Sequence, residues 1–353
     1  MKKIYSYIIL LLVSFCWVSC NNEWEDEQYE QYVSFKAPIG SNGVTDIYIR
    51  YKKDGKVTYQ LPVIISGSTF NEKDLNVKVE VDNDTLGILN NERFGREDLY
   101  FLQLTPEHYN FPGTVNVPQG VSVTTLPIDF DLTGINMVRS WVLPLTVVDE
   151  PGTYLGHPRK NYAKALLNIK PFNDYSGTYS TTTLQTFISN EDGSYDQANP
   201  IVRNTRTGQV VDENTIFFYA GAMEEDLINR EDYKVNFYFN PETKMVELST
   251  KNENLKLEQL KKDQAAYTIA EIMDEELPYL KHRYVIFNIE YTFVDYTSVE
   301  GREIPYQCKR NNELLNVRLI LRFLMKIKLL NGKVFIIIIL NNFFNSGFNC
   351  FEL

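Results

Sequence analysis

Val77-Lys78-Val79-Glu80-Val81 sets the fold class. Branched apolar residues alternate with charged ones, so every second side chain faces the same way. A period of two marks a strand with one dry face and one wet face. The same alternation returns at Trp141, Leu143 and Leu145, and at Val235, Phe237 and Phe239, which interleave with Asn236, Tyr238 and Asn240. Val285, Phe287, Ile289, Tyr291 and Phe293 read as one long strand with a very apolar face. Val57 to Val63 and Tyr48 to Tyr51 flank Asp54-Gly55, a pair suited to a tight hairpin because Gly accepts positive φ. Ala165 to Ile169 closes this first series of strands, and no helix is evident before residue 170.

Short strands punctuated by Pro and Gly predict an all-β protein. The first half reads as an immunoglobulin-like antiparallel sandwich over residues 31–170. Pro171-Phe172-Asn173-Asp174 is the expected boundary. A second antiparallel β domain, barrel or sandwich with one or two short helices, is expected over 171–307. Within it Asn252 to Lys281 reads as helical or irregular, with Glu258 and Lys262 as an i,i+4 pair. Asn240-Pro241-Glu242-Thr243 is a turn.

The 353 residues carry a net charge of −11, with 44% hydrophobic and 23% charged residues. That is globular composition. The acidic balance argues against nucleic acid as a partner, since phosphate binding needs clustered cations. Three histidines and four cysteines leave little for a metal site.

The chain begins with an address. Lys2 and Lys3 precede an apolar run of 11 residues, Ile8 to Val18. That run has signal-peptide length and falls short of the roughly 20 residues a membrane span needs. Ser19-Cys20 follows and resembles a bacterial lipobox, although Trp17 stands where Leu is usual. The expectation is a signal over 1–19, lipid on Cys20, and an acidic tether over 20–30 containing Glu23-Trp24-Glu25-Asp26-Glu27. From Asn21 to Gln307 there is no cysteine, so disulfides do not hold the fold.

Residues 308–353 differ from the rest. They hold seven bases and two acids, a net +5 against −11 for the whole chain, so the first 307 residues carry −16. Leu, Ile, Asn, Phe and Lys dominate, as in Ile336-Ile337-Ile338-Ile339. Such residues have AT-rich codons, and the segment reads as a shifted frame of AT-rich DNA.

Catalytic signatures are absent: no His-Glu-x-x-His, no Gly-x-Ser-x-Gly, no phosphate loop, no Cys-x-x-Cys. His108, His157 and His282 stand alone in sequence. Ile128-Asp129-Phe130-Asp131-Leu132-Thr133 echoes the Asp-x-Asp-x-Glu core of family 18 glycosidases, but Thr133 takes the place of the proton donor. A neutral hydroxyl cannot act as a glycosidic general acid, so this stretch is read as a strand. Asp274, Glu275 and Glu276 read as a solvated face. Asp84-Thr85-Leu86 resembles the Bacteroidetes O-glycosylation site, which makes Thr85 a candidate for modification. Trp141 reads as core, and Tyr238, on the polar face of its strand, as an exposed aromatic.

Several stretches together resemble a known family. They are the lipobox with its acidic follower, Trp141-Val142-Leu143-Pro144-Leu145-Thr146, Asn173-Asp174-Tyr175-Ser176-Gly177-Thr178-Tyr179, and Tyr291 to Gly301. The chain is similar to two-domain Bacteroidetes surface lipoproteins of Sus-like polysaccharide-utilisation loci. Its first domain type resembles one found ahead of family 18 glycosidases. The resemblance implies a surface-exposed outer-membrane lipoprotein that binds or presents glycans beside a Sus-type transporter, without catalysis, metal or cofactor. The alternative is an adhesin or scaffold that binds other proteins.

Overall fold

The computed structural model describes residues 30–277, 280–310, 321–330 and 333–340. The signal, Cys20 and most of the tether lie outside the described residues. The first domain comprises β1 (Tyr32–Phe35), β2 (Thr45–Arg50), β3 (Lys56–Ser66), β4 (Leu75–Val81), α1 (Thr85–Arg93), β5 (Leu102–Gln103), β6 (Tyr109–Asn110), β7 (Thr114–Val117), β8 (Val123–Asp131), β9 (Trp141–Val147), β10 (Leu155–Gly156) and β11 (Lys164–Phe172). One sheet has the order β10-β1-β3-β8-β6. The other runs β2-β11-β9-β4-β7, with β5 beside β9. Aliphatic side chains fill the space between them, among them Leu61, Val63, Leu126 and Ile128 from one sheet and Leu143 and Leu167 from the other. β4 follows its sequence pattern, with Val77 and Val79 buried and Lys78 and Glu80 exposed.

Asp54-Gly55 does turn the chain, with Gly55 at φ 68°. The expected hairpin is not formed. β2 pairs with β11, whereas β3 pairs with β1 and β8 in the opposite sheet. A turn residue fixes local backbone geometry, but the dry faces of the two strands decide which sheet each joins. The absence of a helix before residue 170 is also corrected, because α1 spans Thr85–Arg93. It covers the outer face of the second sheet, where Leu86 meets Val44, Phe101 and Val142. Val142 is therefore buried on the face opposite Leu143 and Leu145, and β9 is dry on both sides.

The second domain comprises β12 (Gly177–Ser180), β13 (Leu184–Ile188), β14 (Ile201–Val202), β15 (Thr205–Val210), β16 (Thr215–Tyr219), β17 (Lys234–Phe239), β18 (Val246–Ser249), β19 (Glu258–Leu260), β20 (Tyr267–Met273), β21 (Leu280–Phe287), β22 (Glu290–Asp295), β23 (Ile304–Arg310), β24 (Leu321–Leu330) and β25 (Lys333–Leu340). Its sheets are β12-β15-β16-β17-β18, β14-β13-β23-β22-β19 and β20-β21-β24-β25. The described helical content of this domain is three single 3-10 turns, at Arg230–Tyr233, Glu253–Leu255 and Lys262–Gln264.

Two expectations here change. The described part of Asn252 to Lys281, read as helical or irregular, holds no α-helix but strands and two single 3-10 turns; Glu258 sits in β19 and Lys262 in a 3-10 turn, so they share no helix face. The long strand from Val285 to Phe293 breaks at Asn288-Ile289. β21 pairs with β20, and β22 with β23 in a different sheet. All five alternating apolar residues stay buried across the break, which is how one sequence pattern serves two sheets. Cys308, Lys309 and Arg310, the first residues of the compositionally distinct segment, belong to β23, and Cys308 is fully buried.

The core of this domain is aromatic. Tyr175 stacks on Phe239 at 4.3 Å, and Phe218 meets Phe237 edge-on at 4.9 Å. Such offset and edge contacts suit the ring quadrupole. The boundary is pinned rather than loose. Asn173 Oδ1 accepts from the Tyr175 and Ser176 amides at 2.9 and 2.7 Å. Its Nδ2 donates to the carbonyl of Asp212 at 2.7 Å. A second tie is the buried Arg230, which bonds Asp98 of the first domain through the carboxylate at 3.2 Å and the carbonyl at 2.8 Å.

Candidate functional site

A cleft of about 300 Å³ opens at the end of the first domain where β3 passes into β4. That is the lower size of small-ligand clefts. Val33, Ile65 and Leu75 reach it from the inner faces of their strands and give it an apolar floor. Its walls carry Gln31, Thr69, Asn71, Glu72, Lys73 and Thr153.

The loop of residues 67–74 builds one wall, and Asn71 holds that loop in place. Asn71 Nδ2 donates to the Lys73 and Pro118 carbonyls, each at 2.9 Å, and its own carbonyl accepts from Gly120 at 2.9 Å. Asn71 Oδ1 is buried and has no partner among the described residues. Gln31 Nε2 closes the other side, donating to the carbonyls of Thr69 and Phe70 at 3.3 and 3.4 Å.

One ring of the lining, Tyr32, begins a chain of ring contacts, and a further ring is exposed in the loop. Phe70, between Thr69 and Asn71, is 67% exposed. Tyr32 lines the cleft and packs on His157 at 5.3 Å between ring centroids. His157 packs in turn on Tyr162 at 5.4 Å, and Tyr162 is also exposed. Amide and carboxylate groups match hydroxyls, while an exposed ring offers an apolar face. The arrangement suits a ligand that is polar at its edge and apolar on its faces.

The second domain offers poorer sites. A cavity of about 40 Å³ lies among Tyr179, Arg206, Phe237 and Tyr291. It has room for roughly two or three waters. Arg206 Nε and Asn288 Oδ1, both buried and unpartnered, belong to residues that line it. A more open depression of about 460 Å³ along Arg203, Thr207 and Glu224 to Asp226 has no aromatic lining.

Cys20 lies outside the described residues. Thr85 opens α1, and its hydroxyl donates to Asp82 Oδ2 at 2.6 Å and accepts from Lys164 Nζ at 2.5 Å. A glycan on Thr85 would replace the hydroxyl proton and so remove the bond donated to Asp82. Asp82 Oδ1 accepts from the amides of Asp84 and Thr85, each at 3.1 Å, and Lys164 Nζ lies 2.6 Å from Oδ2. Burial pushes the Asp82 carboxyl up, but Lys164, the Thr85 hydroxyl and the two amides outweigh it and hold the pKa at about 2.

The remaining sequence candidates are spread across the molecule. His108 Nδ1 bonds the Asp131 carbonyl at 2.8 Å, and His282 Nε2 bonds Asp274 at 2.7 Å. Asp129 and Asp131 lie on β8 and accept from Thr58 and Thr133. Trp141 packs against the first core and donates to the Asn136 carbonyl at 2.9 Å. Tyr238 is half-buried on β17. Among the described residues no three His, Cys, Asp or Glu side chains gather as a metal would require. No described helix is long and apolar enough to cross a membrane. The cleft itself was missed in sequence, although Phe70, a bulky ring inside the polar run Ser66 to Asp74, was its one visible signal.

Two β domains joined through a pinned boundary define a class, and comparison with known proteins identifies it. Residues 24–151 match the model described as a domain of unknown function, DUF4973. Residues 163–311 match a second model, described as "-like, C-terminal". No curated protein matches the chain. A Bacteroides ovatus protein of unknown function is 40% identical over 86% of this chain and 99% of its own, with a TM-score of 0.75. A multidomain protein including DUF1735, also from Bacteroides ovatus, is 40% identical over 83% of this chain and 96% of its own, at 0.74. An auxiliary nutrient binding protein from Bacteroides thetaiotaomicron is 38% identical over 84% of this chain and 96% of its own, at 0.71. The chain belongs to this family of two-domain Bacteroides proteins.

Proposed function

We propose that the protein is a non-catalytic glycan-binding lipoprotein of the outer-membrane surface. One observation carries the reading. The first-domain cleft sets the Tyr32 ring beside Gln31, Asn71, Glu72 and Lys73, and Phe70, between Thr69 and Asn71 of its wall, is exposed. Sugar rings present C–H faces to aromatic surfaces and hydroxyl edges to such polar groups. The 38% identity to an auxiliary nutrient binding protein supports a role in nutrient capture.

Lipid on Cys20 would anchor the chain, and β1 starts at Tyr32. The intervening tether can extend about 35–40 Å, taking 3.3–3.6 Å per residue. That reach lets the cleft sample glycan near the membrane and deliver it to a Sus-type transporter. Cys20→Ala should leave the protein out of the membrane fraction.

The test is affinity electrophoresis of the purified protein in gels containing neutral plant, host and microbial polysaccharides. Retention in one gel, without release of smaller sugars, supports the proposal. A folded protein that no polysaccharide retains, but that co-purifies with outer-membrane proteins, favours the adhesin or scaffold reading.

A further inference from the structure

A second cleft, of about 200 Å³, lies between the two domains and has a different chemistry. Lys170 on β11 and Arg139 before β9 line one wall, and Gln209, Tyr219, Glu225 and Arg230 of the second domain line the other. The whole chain carries −11, yet this cleft gathers cations. Arg230 and Arg96 both bond the Asp98 carboxylate, so that acid is already neutralised. Arg139 donates to the Asp98 carbonyl at 2.5 Å, which leaves its charge without a carboxylate. Glu225 is held by the Thr207 amide at 3.3 Å.

Lys170 is the telling residue. It has no hydrogen bond or salt bridge among the described residues, and Asp46 acts on it only from beyond salt-bridge distance. Burial lowers its pKa, which means the surroundings disfavour its charge. Lys170 is half-buried, and an unpaired ammonium held in such a place costs stability. An arriving anion would supply the missing charge. Ser140 and Gln209 stand beside it with side chains able to donate hydrogen bonds.

We propose that this interdomain cleft binds the anionic group of an acidic glycan, a uronate carboxylate or a sulfate ester, between Lys170 and Arg139. The ligand class rests on the glycan-binding reading, while the preference for negative charge rests on these residues alone.

The experiment is affinity electrophoresis in gels of polygalacturonate, dextran sulfate and neutral dextran, with thermal melting of each variant alongside. Polygalacturonate retention assigns the carboxylate, and dextran sulfate retention the sulfate. Because the protein is acidic, unspecific attraction to a polyanion is not expected. Lys170→Met should lower retention roughly tenfold or more, melt no lower than wild type, and be rescued by Lys170→Arg. If the Met variant melts lower, Lys170→Gln decides in its place. Retention by neither polyanion overturns the proposal, as does equal retention of wild type and the uncharged variant. Loss of binding to polyanions with neutral-glycan binding intact would strike this cleft alone; the converse would strike only the first.

Discussion

Replacing Asp82 with Asn tests whether α1 is held to the second sheet by charge. The carboxylate is nearly buried, with 5% of its side chain exposed, and it accepts from Lys164, the Thr85 hydroxyl and two amides. Its pKa stands at about 2 against an ordinary value of 3.8. A shift of that size corresponds to about 2.4 kcal/mol at 1.36 kcal/mol per unit. Lys164 is 35% exposed, so solvent screening reduces this to roughly 1–2 kcal/mol. The folded pKa is depressed, so the contribution is complete above the unfolded value and disappears as pH falls toward 2. Asn keeps one acceptor oxygen for the two amides and puts an amide nitrogen in place of Oδ2, so the charge goes together with the acceptor that faces Lys164 and the Thr85 hydroxyl, much as it does when the carboxyl is protonated. Urea unfolding of Asp82→Asn should therefore show a deficit of about 1–2 kcal/mol at pH 7 that closes toward pH 2. Melting at neutral pH should fall by about 3–6 °C. A deficit of the same size at pH 7 and pH 2.5, or none at pH 7, would refute the reasoning.

Two further stability predictions concern the second domain. Gly221 sits at φ 52°, and a Cβ there would approach the Phe293 ring at 2.7 Å; Gly221→Ala should cost about 2–4 kcal/mol by backbone strain and overpacking. Urea midpoints unchanged by the substitution would show that this packing is not as tight as described. Burial raises the Cys308 thiol to about 11, with a lesser opposing effect from Thr186 and Tyr291. Peptide mapping after iodoacetamide at pH 8 should find Cys308 unlabelled in the native protein and labelled in denaturant, because the thiolate is the reactive form; rapid native labelling would contradict its place in β23.

What could be read from the sequence followed from local periodicity. β4 and β17 were legible because one face of each is dry and the other wet, so burial repeats every second residue. β9 was legible only in part: Trp141, Leu143 and Leu145 alternate, but α1 dries the opposite face as well. That helix was hidden by its own composition. Thr85–Arg93 carries Gly87 and two asparagines, and only Leu86 and Asn90 are buried, so no apolar stripe announces it. Its N-cap, Asp84, makes no side-chain cap bond, and Asp82 two residues earlier accepts from the first amides instead, an arrangement that is clear only once Lys164 is brought across from β11.

Strand partners were less legible than strands. Asp54-Gly55 marks a turn whichever sheet receives β3, and Asn288 interrupts an alternation that stays in phase across two sheets. The clefts were least legible of all. Gln31, Asn71 and Thr153 are far apart in the chain, as are Arg139, Lys170 and Arg230, and only tertiary structure brings each set together.

The most direct test of glycan capture is amide hydrogen exchange of the protein saturated with whichever neutral polysaccharide retains it, compared with Phe70→Ala. Protection should appear over residues 31–33, 67–74 and 153–154, the segments that border the cleft. Phe70→Ala should weaken binding by about 1.5–3 kcal/mol, the range for covering an exposed large apolar side chain. Protection elsewhere in the molecule, or full affinity in Phe70→Ala, would contradict the assignment of this cleft as the glycan site.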